Sequence, residues 1–300
     1  MKSIKSYISS LILSVLLVFA VLGTSAAIAV KKYASPDALK ELSIKNGVVQ
    51  QIKSQLADYY SDRYNATGIP AETYTEAFTD EYIQQVVESY IDTGFECING
   101  NKNIEFSVPV NSELQSNMNA VFEEYAESKN YEKDDFFYLK LDESMYAAYK
   151  KVGEYCDVYK LETMYNSNIL EKVSKIYPYI DNLPIDAAAV CIAMILLLLL
   201  VNLRARSDAL YWAGISSFLA GVIGVVPGIF LTITRYFDSF TIKQPQVFTS
   251  FTGLMYDAVK SFIICETVFI AVGIVATVVY MIIRGRKNDE INSSRPEMAE

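Results

Sequence analysis

The sequence predicts an all-α integral membrane protein: four transmembrane helices, with a mainly helical extracytoplasmic domain between the first and the second. Three observations carry this expectation. The apolar residues, 52% of the 300, are bunched into four segments: Tyr7 to Val30, Ile185 to Leu203, Ala209 to Thr234 and Ser261 to Ile283. Each has the roughly 20 mostly apolar residues needed to cross a hydrocarbon layer of about 30 Å. Lys and Arg collect at one set of segment ends, and the polar region between the first two segments is dominated by helical periodicity.

Residues 1–30 hold the first span. Lys2 and Lys5 precede an apolar run from Ile8 to Gly23, followed by the small-residue series Thr24, Ser25, Ala26, Ala27. With Ala27-Ile28-Ala29 as a cleavage site, the stretch also fits a signal peptide. The apolar run continues through Val30 and is long enough to span, so retention is expected.

Residues 31–183 form the extracytoplasmic domain, with 15 Lys and Arg against 26 Asp and Glu. So acidic a surface is poorly suited to nucleic acid or to anionic lipid headgroups. Ser35-Pro36-Asp37 is a helix start, with a capping residue followed by proline at the first helical position. Val48, Val49, Ile52, Leu56, Tyr59 and Tyr60 mark one face of a helix that Gly68-Ile69-Pro70 breaks. Thr79 caps the next, where Ile83, Val87, Tyr90, Gly94 and Cys97 share a stripe. "IEFSVPV" at 104–110 alternates apolar and polar residues, as a short extended edge segment would. Further helical stripes run through Leu114, Met118, Val121, Phe122 and Tyr125, then Met145, Tyr149, Val152, Cys156 and Tyr159. Cys97 and Cys156 are a pair that can close a disulfide in an oxidising compartment; both also suit an apolar core. Of the 22 tyrosines, 17 fall in this region, which fits an amphipathic core or an aromatic-lined groove.

Residues 184–287 hold the other three spans and an outer loop at 235–260. Arg204 and Arg206 follow the second span, and Arg284, Arg286 and Lys287 follow the fourth. With Lys2 and Lys5 they place both termini in the cytoplasm and 31–183 outside. Tyr7, Tyr211, Trp212 and Tyr280 fit the inner interface, Tyr236 and Phe237 the outer. In the third span Gly214, Ser217, Gly221, Gly224 and Gly228 recur at a mean step of 3.5. Small residues on one line let helix backbones approach, so this is a helix-packing seam. Pro227 inside it is a candidate hinge, since it cannot donate to the carbonyl of Ile223. Glu266 is the ionisable residue clearly within a span, and an intramembrane carboxylate is by default a functional candidate. Its plain alternative is a shallow position that reaches interfacial water or pairs with Arg235. The run at 247–259 has helical spacing and either lies on the outer leaflet or extends the fourth span. Residues 288–300 are expected to be a disordered cytoplasmic tail.

The chain has no histidine, hence neither the commonest general base nor the commonest zinc ligand. It also lacks a nucleophile elbow, a P-loop, a C-x-x-C pair and a Rossmann glycine pattern. The acidic run "EKDDFFYLKLDE" lacks the spacing of an EF-hand loop. No catalytic set, cofactor or metal ion is expected.

"GIPAETYTEAFTDEYIQQVVESYIDTGFECING", then "FSVPV", then "LPIDAAAVCIAMILLLLLVNLRARSDALYWAGISSFLAGVIGVVPGIF" give an order of parts. It resembles functionally unassigned bacterial four-span membrane proteins with an extracytoplasmic helical domain. The resemblance implies a topology and a cell-membrane location and transfers no site residues. The function expected is that of a non-enzymatic protein presenting an interaction or sensing domain, its partners the bilayer and another membrane or extracellular protein. The rival expectation is a small transporter or channel subunit using Glu266 and the glycine-lined third span.

Overall fold

The computed structural model describes residues 4–293; helix accounts for 83% of the described residues, and there is no strand among them. In order, the helices are α1 (Ile4–Tyr33), α2 (Pro36–Lys45), α3 (Val48–Thr67), α4 (Glu72–Thr75), α5 (Asp80–Ile98), α6 (Ser112–Lys129) and α7 (Asp135–Cys156). They continue as α8 (Leu161–Asn166), α9 (Ile169–Ser174), α10 (Tyr177–Ile180), α11 (Leu183–Val201), α12 (Arg206–Ile233) and α13 (Pro245–Ser293). Of these, α1, α11, α12 and α13 are long and apolar enough to cross a membrane, as in a multi-pass protein.

Local chemistry sets the boundaries. Ser35 caps α2, its hydroxyl accepting from the Ala38 amide, with Pro36 at the first position. Thr79 caps α5 in the same way through the Tyr82 amide, and Asp134 caps α7 through the Phe137 amide. These side chains satisfy amides that the helix itself leaves open. At the end of α3, Gly68 turns left-handed (φ 69°) and donates to the Tyr64 carbonyl, a conformation glycine adopts without a Cβ penalty.

The contacts divide the chain into two units. One takes Ala34–Pro178 and Phe240–Leu254. Its core is built from α3, α5, α6 and α7, with Ile52, Leu56, Phe78, Ile83, Val87, Leu114, Met118 and Val152 buried. Tyr60 and Tyr74, both buried, stack with ring centroids 3.7 Å apart. Burial pushes the Tyr74 hydroxyl up to about 12, with Tyr59 adding to the shift. The first turns of α13 pack on α2 and α3 here: Thr249 donates to Gln51 Oε1 at 2.6 Å, and Gly253 lies against the Asn46 side chain.

The other unit takes the chain up to Tyr33, Tyr179–Ser239 and everything from Met255. Within it α1 lies along α11 and α12. Serines four apart on α1 form a hydrogen-bonded ladder. Asn202 Nδ2 donates to Ser10 Oγ at 2.9 Å, and the hydroxyls of Ser14 and Ser216 meet at 2.6 Å. Such bonds hold spans together where hydrophobic gain is small. Beyond them Leu17, Val21, Leu198, Trp212 and Ala220 form an apolar cluster. Tyr7, Trp212, Tyr211 and Tyr280 make a chain of ring contacts of 5.1 to 5.6 Å. This places the start of α1, the start of α12 and the end of the apolar part of α13 at one end of the unit.

Two expectations are corrected and a third is decided between its alternatives. Residues 104–110 form no strand: the described residues contain none to pair with them, and Tyr82 Oη donates to the Pro109 carbonyl at 2.8 Å. The run at 247–259 is helical as its spacing predicts, and of the two alternatives it extends the fourth apolar segment, since α13 starts at Pro245 and runs on without a break. The tail expected to be disordered from 288 stays helical to Ser293, and residues 294–300 lie outside the described ones.

Candidate functional site

The glycine stripe of α12 faces α13. A Cβ at Gly228 would stand 2.6 Å from Ile263 Cγ1, and one at Gly221 would stand 2.7 Å from the Glu266 carbonyl oxygen. At Gly214 it would meet Thr277 Oγ1 at 2.8 Å and the Gly273 carbonyl at 3.1 Å. Ser217 shares this stripe and is half-buried. The sequence singled out five small residues on α12; Gly273 of α13, packed on the backbone of the turn from Gly214 to Phe218, is a sixth that it did not. Pro227 sits between Gly224 and Gly228, and α12 is continuous through it.

Glu266 and the stripe, separate features in the sequence, form one site. The side chain of Glu266 fills the notch at Gly224, where a Cβ would lie 2.6 Å from Glu266 Cγ and 2.9 Å from its Cδ. The carboxyl is 0% exposed, and neither oxygen has a hydrogen-bond partner. The pairing with Arg235 and the access to water are thereby corrected: Glu266 is buried, and Arg235 Nε pairs with Asp238 Oδ2 at 2.6 Å, beside a left-handed turn at φ 49°. From α1, Ser25 faces the carboxyl without closing a hydrogen bond, and its hydroxyl is likewise buried and unpartnered. Sequence reading met Ser25 only as part of a cleavage-like series; its role depends on how α1 docks, which no local signal encodes.

Moving along the same contact, Lys32 Nζ donates to Ser261 Oγ at 3.1 Å. Tyr33 Oη donates to the Asp257 carbonyl at 2.9 Å. Thr24 Oγ1 lies 3.4 Å from Cys191 Sγ.

The acidic unit offers a second kind of site. Tyr131 and Phe136, in and just after the α6–α7 connection, are 64% and 63% exposed. They line a hollow of about 470 Å³ with Phe122, Tyr125 and Phe137. Phe122 and Phe137 meet edge to face at 6.0 Å, and Tyr125 stacks on Tyr131 at 6.1 Å. Exposed rings this closely grouped are unusual on a surface that meets only water.

A larger hollow of about 590 Å³ is lined by Tyr90, Phe106, Tyr149, Asp157, Lys160 and Glu162. Its buried acid is committed locally, since Asp157 Oδ1 accepts the Leu161 amide at 2.7 Å at the start of α8. Burial holds the Asp157 carboxyl above the usual carboxylate range, against the lowering effect of Lys160 and the α8 amides. A raised folded value means the neutral acid is the form that favours folding. That contribution is complete below 3.8, the ordinary value, and fades as pH rises through the folded one. Asp157→Asn keeps the cap and cannot ionise, so its melting temperature relative to the parent should rise between about pH 4 and pH 7. Thermal melts followed by circular dichroism at both pH values check this; a pH-independent difference would refute it.

Cys97 and Cys156 are free thiols, which corrects the bridge the sequence allowed. Both are buried. Cys156 closes α7 fully buried, whereas Cys97 at the end of α5 borders a hollow with Tyr165 and Glu171. Burial pushes both thiols up, with help from Asp157 and Glu171 respectively. Comparison of the chain with protein-family models, curated proteins and solved structures gives no match.

Proposed function

We propose that this chain is a non-enzymatic multi-pass membrane protein of the cell surface that presents its acidic helical unit outside as a protein-interaction module. Three basic clusters, at Lys2 and Lys5, at Arg204 and Arg206, and at Arg284 to Lys287, support cytoplasmic termini. The ring chain of Tyr7, Trp212, Tyr211 and Tyr280 is in keeping with them, because it gathers at one end the three places where these clusters lie. The hydrogen bonds of Ser10, Ser14 and Thr24 favour α1 as a working part of the bundle over a removed signal.

The observation that carries the reading is the exposed aromatic hollow of the α6–α7 hairpin. Glu132 and Asp134 line it with Lys140, and in the sequence of the hairpin Glu123, Glu124, Glu127 and Asp135 stand against Lys129 and Lys133. Rings surrounded by negative charge complement a protein segment that is apolar and basic: the rings take its apolar side chains and cation–π contacts, and the rim steers its positive charge. Lys140 over the Phe136 ring at 5.4 Å already displays that geometry within the chain. The transporter reading is less favoured, since the cluster of Leu17, Val21, Leu198 and Ala220 interrupts the polar residues along α1.

The test places a benzophenone amino acid at Phe136 of the full chain in intact cells, with the same probe at exposed Tyr64 as control. Irradiation should join Phe136, and not Tyr64, to a protein segment that mass spectrometry reads as apolar with net positive charge. Adducts with lipid, with an acidic segment, or equal at both positions overturn the proposal.

A further inference from the structure

We propose that Glu266, with Ser25, is a reversible proton-binding site inside the membrane unit. Two polar side chains from different helices, both 0% exposed, share one spot and leave three oxygens unpartnered. A native interior satisfies its buried polar groups or uses them. The groups facing the site from each element are few: Ser25 from α1, Gly221 and Gly224 from α12, and Phe262 and Cys265 beside Glu266 on α13. The charged residue near this contact, Lys32, is held at Ser261, five residues and about 7 Å along α13.

Three oxygens are too few to replace the hydration of a metal ion, since calcium takes six to eight and magnesium six. No group of three metal-ligating side chains occurs among the described residues. One proton is sufficient. Added to the carboxylate it makes a carboxylic acid, whose O–H can donate to Ser25 while the serine hydroxyl turns to donate elsewhere. The step is a simple protonation: one O–H bond forms and nothing is oxidised or reduced. Exchange has a polar direction to follow toward Ser261, Lys32 and Tyr33, and an apolar barrier of Leu17, Val21 and Ala220 the other way. Such a site takes its proton from one side and reports that side's acidity.

The full chain in lipid bilayers, followed by infrared difference spectroscopy, tests this. The parent should show a carboxylic acid C=O band that Glu266→Gln removes and that declines reversibly as the bath is taken from about pH 5 to pH 9. Ser25→Ala, which keeps the acid, should move the same band to higher frequency as its hydrogen bond is lost, and it serves if the glutamine variant does not fold. The proposal is overturned if the band is missing throughout that range, if it persists unchanged by pH, or if Ser25→Ala leaves its frequency where it was.

Discussion

Replacing Gly273 by leucine is expected to abolish the native bundle, and replacing it by alanine to destabilise the bundle by about 3 kcal/mol, the upper part of the usual cost of overpacking. A Cβ at Gly273 would stand 2.5 Å from Phe218 N, 2.7 Å from the Gly214 carbonyl oxygen and 2.9 Å from Phe218 Cα. All three are backbone atoms of α12, which cannot rotate aside as a side chain does, so α12 and α13 must separate along the seam. In lipid there is little hydrophobic gain to restore the contact by another route. Gly221, where Ile270 Cγ1 would be the nearest neighbour, can yield in part by a rotamer change and should cost less as alanine. Gly23 and Gly285 have nothing within 4 Å. Alanine there should leave stability unchanged or raise it by up to about 1 kcal/mol through helix propensity. Unfolding midpoints of the purified chain in mixed micelles rank the four variants. Equal midpoints for Gly273→Ala and Gly285→Ala would show that the seam does not hold these helices.

What could be read in advance follows the range of each interaction. The four apolar segments and the starts at Ser35 and Thr79 were legible because length, periodicity and capping are local. The stripe on α12 was legible as a face, while the residues that fill it were not, since a period does not name its partner. Gly273 shares no helical stripe with the other glycines of α13, Gly253 and Gly285, and Ser25 has ordinary neighbours, so neither carries a pattern; both matter only once α1, α12 and α13 are packed. Asn202 and Ser216 were invisible for the same reason. The segment at 104–110 alternates like a strand, but a strand needs a second one to pair with, and the all-helical surroundings supply none. Of the aromatic hairpin, Phe136 and Phe137 lie inside "EKDDFFYLKLDE", which reads as a charged surface, and Phe122, Tyr125 and Tyr131 precede it; that Phe136 and Tyr131 stay outside while Phe122 and Phe137 meet is set by how α6 returns into α7.

The start of α6 is held by one side chain, and Asn111→Ala should cost the acidic unit about 3 kcal/mol. Asn111, 8% exposed, caps α6 by accepting the amides of Glu113 and Leu114 at 3.0 Å each. Its amide donates to the Ala77 carbonyl at 2.7 Å, next to the start of α5. Its backbone N–H and carbonyl are both bonded to the Tyr149 hydroxyl of α7, at 3.0 and 3.2 Å. Losing a cap costs about 1 to 2 kcal/mol, and leaving the buried Ala77 carbonyl unpaired costs about 1 to 3 more. For a unit of this size the sum corresponds to a fall in melting temperature of roughly 6 to 12 °C. Asn111→Asp separates the two parts: it keeps the cap, with its charge well placed at a helix start, and loses the donor to Ala77. It should therefore fall between the parent and the alanine variant in a circular dichroism melt of the full chain in detergent. If aspartate is as damaging as alanine, the contact with Ala77 carries the effect; if it matches the parent, the cap does. A melting temperature unchanged in Asn111→Ala would mean that α6 and α7 keep their register without this side chain, through the backbone bonds to Tyr149 that alanine retains and the packing of Leu114 and Met118.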